Sequence, residues 1–207
     1  MKPKEIYDTL LSQKLIQELE KRNMEGYYCE TKEAALQKVL EIIPKDSVVS
    51  CGGSATLHEM GLQDSLKSQG YNFLDPNGVQ GAAAKDDIAH QALSADYYLM
   101  SSNAIATSGE LVNADGYGNR VAALIFGPKN VIVIAGINKV ETNLETAILR
   151  TKKYAASMIM LKFKQDYASF DELSEAAEMA TSHLVVTSKS AIKGRIKVIL
   201  VGEPLGF

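Results

Sequence analysis

The chain has no tryptophan and only two cysteines in 207 residues. Cys29 and Cys51 cannot build a disulfide framework, and without a flanking ligand pattern they cannot complete a four-ligand zinc or iron–sulfur site. Reduced, metal-free thiols are expected. No apolar run approaches the ~20 residues that span a bilayer, and the opening MKPKEIYDTL lacks the apolar segment of a secretion signal. A cytoplasmic protein without a membrane partner is the simplest expectation. Positive charge is not in excess either, since 22 Lys and Arg against 25 Asp and Glu leave a net charge of -3. That balance offers no electrostatic footprint for nucleic acid. Low-complexity tracts, internal repeats and a clean linker are also missing.

What is present is a core-forming composition, 46% hydrophobic with 23% charged residues, as in globular proteins rather than disordered ones. Residues 4–21 carry Ile6, Leu10, Leu11, Leu15, Ile16 and Leu19 at helical spacing, which predicts an N-terminal helical extension over about residues 1–25. GYYCE then reads as a strand. Thr31 caps a second periodic run that Pro44 stops, and SVVSC at residues 47–51 is a short β-branched strand leading into CGGSATLHEMG. The rhythm continues through YNFLD, a helix over 85–93 and the strand DYYLMSS. Alternating strands and helices predict a mostly parallel sheet flanked by helices. After Ser102 the expectation changes: NAIATSGELV, the turn NADGYGN, VAALIFGP and NVIVIAG read as successive strands of a β-hairpin region. A helix over 141–156, another in DELSEAAEMATSH and a closing strand RIKVILVGE complete the prediction.

Three places offer chemistry. The turn Gly52, Gly53, Ser54 lies between a buried strand and a helix, where backbone amides can approach an anion and Ser54 and Thr56 add hydroxyls. A tight turn with Ser54 as helix cap explains the same residues. In IATSGELV, strand alternation would set Thr107 on one face and Ser108 and Glu110 on the other. Glu110 is then the candidate catalytic carboxylate, as nucleophile or general base, facing the cleft of the Gly52–Ser54 turn; a solvent-facing strand residue is the plain alternative. Asn119 and Arg120 follow the NADGYGN turn, and Lys139 follows the apolar strand NVIVIAG. Arg120 can clamp a carboxylate or phosphate bidentately or can be an edge-strand charge. If the strand before Lys139 runs parallel to the one ending at Cys51, Lys139 and the glycine turn share one edge, where ligands of α/β sheets bind.

CGGSATLHEMG, SSNAIATSGELVNADGYGNRVAALIFGP, VIVIAGINK and GRIKVILVGEPLGF together resemble the LUD (lactate utilisation) domain family over nearly the whole chain. The resemblance implies one domain over residues 1–207 with the Rossmann-like α/β fold of the NagB/RpiA/CoA-transferase-like superfamily, in a bacterial cytoplasm. It implies an accessory role in oxidising L-lactate to pyruvate with iron–sulfur and oxidoreductase partner proteins, and a homodimer is expected from the superfamily. The alternative is an enzyme or binding module for a small anionic, phosphorylated or CoA-linked ligand at the Gly52–Ser54 turn. Many similar chains carry a cysteine-bearing segment before the last strand. Here that segment is SHLVVTSKSAIKGR, so no intrinsic iron–sulfur cluster or other metal is expected, and any redox centre belongs to a partner.

Overall fold

A computed structural model describes residues 2–207 of the chain. The element order begins with α1 (Pro3–Lys21), β1 (Glu25–Cys29), α2 (Lys32–Ile42), β2 (Val48–Cys51), α3 (Ala55–Glu59), α4 (Leu62–Ser68), β3 (Asn72–Leu74), α5 (Ala82–Ala92) and β4 (Tyr97–Met100). It continues with β5 (Ala104–Ala106), β6 (Leu111–Asp115), α6 (Asn119–Phe126), β7 (Asn130–Gly136), β8 (Val140–Glu141), α7 (Leu144–Arg150), α8 (Ala156–Phe163), α9 (Phe170–Met179), β9 (His183–Thr187) and β10 (Ile196–Val201). Six strands form a wholly parallel sheet in the order β1-β10-β7-β4-β2-β3. A second, four-stranded sheet has the order β8-β5-β6-β9.

Pleat alternation sorts the parallel sheet into two apolar layers. Ile132 and Ile134 pack with Val39, Leu57 and Leu66 on one face. Val131 and Val133 pack with Leu15, Leu19, Met100 and Leu124 on the other. A strand buried on both faces has to be apolar throughout, which is why VIVIA carries no alternation. The N-terminal helix is therefore part of the core through Leu15 and Leu19, while Ile6, Tyr7 and Leu10 stay exposed. Local capping agrees with the sequence: Thr31 accepts from the Ala34 amide and Ser54 from the Leu57 amide. No helix among the described residues is long and apolar enough to cross a membrane.

Several expectations need correction. VAALIFGP is not a strand but the greater part of α6. An apolar run of that length does not distinguish strand from buried helix. The decision comes from Asp115, whose Oδ2 accepts the Val121 amide at 2.9 Å after the chain turns through Gly118 at φ 96. The helix then buries Val121, Ala123 and Leu124 and leaves Ile125 and Phe126 outside. NAIATSGELV is not one strand either. It is the antiparallel hairpin β5–β6, closed by Gly109 donating to the Ala106 carbonyl at 2.7 Å, with Gly109 at φ 96. Residues 107–109 form the turn, so the alternation that paired Ser108 with Glu110 does not exist. The helix expected over 141–156 begins only at Leu144, where Asn143 caps Thr146, and passes through a π-helical turn at Thr151–Ala155 into α8. Strand β9, antiparallel to β6, lies where no strand was expected.

Candidate functional site

Because β2, β4, β7 and β10 are parallel, their carboxyl ends meet at one edge of the sheet. Past β2 comes the Gly52–Gly53–Ser54 turn, past β4 the run Ser101–Ser102–Asn103, and past β7 a single 3-10 turn ending in Lys139. Gly53, Ser54, Ser101, Asn103, Asn119, Arg120 and Lys139 line one cavity of about 470 Å³, closed on its other side by Ile159, Met160, Phe163 and Met179. The two glycines have different tasks. A Cβ on Gly52 would stand 2.9 Å from the Tyr98 hydroxyl and 3.1 Å from Arg120 Cδ, whereas one on Gly53 would meet nothing within 4 Å. Gly52 lets the arginine pass, and Gly53 presents open backbone.

Lys139 is 3% exposed. Its Nζ donates to Thr56 Oγ1 at 2.8 Å and to Ser101 Oγ at 2.9 Å, and no carboxylate among the described residues lies within ion-pair distance. Burial, reinforced by the positive charges of Arg150 and Arg120, lowers its pKa to about 7, with Glu59 opposing weakly. The amine is thus poised between its two protonation states at neutral pH. The carboxyl-terminal segment packs over it: Leu205 donates its amide to Asn138 Oδ1 at 3.0 Å and Gly206 its amide to Glu59 at 2.8 Å, while Phe207 lines the cavity.

Arg120 has no such freedom. Nε donates to Asp115 at 3.0 Å, Nη1 to the Ser101 carbonyl and Asn113 Oδ1, and Nη2 to Asn103 Oδ1 and the Ala114 carbonyl. Those contacts engage all five donors of the guanidinium. Instead of clamping a ligand, Arg120 ties the end of β4, strand β6 and α6 into one rim. Arg150 braces the same rim by donating to the Asn103 carbonyl at 2.6 Å.

Glu110 does not face this cleft, contrary to the expectation. Its carboxylate is bonded to Arg22, at the end of α1, and to the Ser108 hydroxyl. Arg22 also donates to the carbonyls of Ser108 and Ser188. Thr107 donates to the Thr142 carbonyl at 2.6 Å. Thr107, Ser108 and Glu110 therefore form the docked tip of the β5–β6 hairpin, and none of them lines the cavity. Thr56 acts from behind, through Lys139. The sequence reading missed Ser101, Asn103 and Asp115, although two serines and an asparagine after an apolar strand end were a usable signal. The apolar wall from α8 and α9 had none, because its distance from the glycine turn is set only by tertiary packing.

A second cavity of about 350 Å³ lies alongside, lined by Cys51, Lys85, Asp86 and Tyr98 and sharing Tyr117 and Asn119 with the first. The Tyr117 hydroxyl bonds Asp86 between the two. Cys51 is buried in that wall and desolvation pushes its thiol up to about 12, so it is a poor nucleophile. Cys29 is also free and buried, with three strands between its strand and that of Cys51. An iron–sulfur cluster needs about four thiolates at one point. The residues of this chain do not fit such a cluster, and no group of three or more His, Cys, Asp or Glu among the described residues is placed to hold a metal ion.

Fold and site together define an α/β protein with a cavity at the carboxyl edge of a parallel sheet. The LUD domain family model matches residues 12–201, and the chain belongs to that family. Among solved structures it is similar to a DUF162 family protein from Deinococcus radiodurans, with a TM-score of 0.56 at 11% identity over 94% of this chain and 98% of the other. At that identity the likeness concerns the fold. A comparison with curated proteins gave no match.

Proposed function

We propose that the protein binds a small organic anion in the cavity beside Lys139 and uses the lysine in its chemistry. The observation that carries this reading is a buried nitrogen in the cavity wall with two hydroxyl partners and no carboxylate to balance its positive form. A ligand's own negative charge supplies that balance. Gly53 and Ser54 offer polar contacts on one side, and Ile159, Met160 and Phe163 accept an apolar portion on the other. Family resemblance supports a setting in L-lactate oxidation, where partner proteins supply the iron–sulfur and oxidoreductase centres and this chain handles the organic acid. Two tests apply. A thermal-shift series over 2-hydroxy and 2-oxo acids, sugar phosphates and CoA esters should raise the melting temperature, since a ligand at about 100 times its Kd adds ~2.7 kcal/mol of stability. Calorimetry in buffers of different ionisation enthalpy should show proton uptake on binding near pH 7.5, because an anion favours the charged lysine. Stabilisation equal in wild type and Lys139→Met, with no proton uptake, would overturn the reading.

A further inference from the structure

The hydrogen-bond directions around Lys139 say more than that an anion is welcome. Thr56 Oγ1 has the Leu205 carbonyl as its own acceptor at 3.3 Å, and Ser101 Oγ has the Ser102 carbonyl at 3.3 Å. With the Ser101 proton directed to its carbonyl and the Thr56 proton to Leu205 or, at the same 3.3 Å, to Ser101 Oγ, both hydroxyls still present lone pairs to Nζ and accept from it. Of the four tetrahedral directions at the nitrogen, one holds Cε and two hold these hydrogen bonds. The fourth has no hydrogen-bond partner: Gly206 packs beside the nitrogen, where a Cβ would stand 3.2 Å from Nζ, and its missing side chain leaves that approach to the cavity that Lys139 lines. A lysine serving only structure would have its charge met by a carboxylate or a third acceptor. This one is held as an oriented amine with one direction unpartnered.

We propose that Lys139 Nζ forms an imine with the carbonyl carbon of a 2-oxo acid bearing an apolar side chain. The proposal rests on the small-anion reading above and names its substrate class. A carbonyl carbon is the electrophile that the unpartnered amine direction can attack. The carboxylate is matched by the open backbone at Gly53, the Ser54 hydroxyl and Lys162 at the mouth, which forms no ion pair among the described residues. The apolar side chain is matched by Ile159, Met160 and Phe163. In the step itself the nitrogen lone pair forms the C–N bond and the carbonyl oxygen takes up a proton, giving a carbinolamine. Loss of that oxygen as water leaves a C=N bond, and no oxidant or reductant is consumed. The protonated imine has its charge balanced by the carboxylate of the substrate, which supplies the counter-ion that the protein lacks at this point. Burial favours the amine form needed for attack, and exclusion of bulk water slows the reverse hydrolysis.

Trapping tests this directly. The protein is incubated near pH 7.5 with 4-methyl-2-oxopentanoate and sodium cyanoborohydride, digested, and each lysine assayed by peptide mass spectrometry for the probe mass less water plus two hydrogens. At that pH an exposed lysine is an amine only about one part in a thousand, so the adduct at Lys139 should exceed that at any other lysine by ~10-fold or more. The matching 2-hydroxy acid, which has no carbonyl, should compete with the adduct without forming one. Because the readout is made on the wild-type chain, it does not depend on a variant folding. Thermal stabilisation by both acids with no adduct at Lys139 overturns the imine and leaves the anion reading standing. Neither stabilisation nor adduct overturns both. An adduct spread evenly over surface lysines also overturns the imine.

Discussion

Replacing Lys139 by methionine should make the protein more stable at neutral pH, and the size of the effect should depend on pH in a defined way. The ordinary lysine value of 10.5 applies to the unfolded chain, while the folded protein holds Lys139 at about 7. Between those values the unfolded chain binds a proton that the folded protein does not. Stability therefore rises with pH by about 1.4 kcal/mol per pH unit from this group, and below about pH 7 its contribution is flat and at its lowest. Methionine keeps an unbranched stem of similar reach and has no proton to bind. It takes the Lys139 donor from Thr56 and Ser101, at a cost of about 1–3 kcal/mol, against about 4 kcal/mol of removed linkage near pH 7.5. Lys139→Met should then be more stable than wild type by roughly 1–3 kcal/mol near pH 7.5. That advantage should shrink by about 2–3 kcal/mol by pH 9.5. Urea unfolding of both proteins at half-unit pH steps measures the difference, in which groups that titrate identically in the two cancel. A difference that stays constant over this range would refute the depressed lysine and with it the electrostatic account of the cavity.

Four further substitutions separate the site from its supports. Arg120→Ala takes the guanidinium from Asp115, Asn113 and Asn103, leaving a part-buried carboxylate without its cation, and should cost about 3–5 kcal/mol in urea unfolding; a loss under about 1 kcal/mol would contradict its role as the tie of the rim. Gly52→Ala drives a methyl against Tyr98 and Arg120 and should cost about 1–3 kcal/mol, whereas Gly53→Ala, facing open space, should weaken ligand binding in calorimetry with little change in melting temperature. Glu110→Gln removes the charge facing Arg22 and should lower stability by about 1–3 kcal/mol while ligand affinity is unchanged; lost affinity at unchanged stability would return Glu110 to the site.

Local signals were sufficient at several places where a residue's partners are its sequence neighbours. The caps at Thr31 and Ser54, the punctuation by Gly52 and Gly53, and the unbroken apolar runs of the central strands all act within a few positions, and together they determine the alternation of strands and helices that makes a parallel sheet. Parallel strands in turn bring the glycine turn and Lys139 to one edge, and that juxtaposition was legible in advance. The remainder depended on partners far away in the chain. Glu110 is held by Arg22, 88 positions distant, and Lys139 by Thr56, 83 positions distant. VAALIFGP has a nearby cap in Asp115, but the edge of β6 beside it is taken by β9, about seventy positions later. Desolvation of an amine, the pairing of a carboxylate and the choice between strand and helix for an apolar run are all set by what the chain packs against them, and no window of neighbouring residues contains that information.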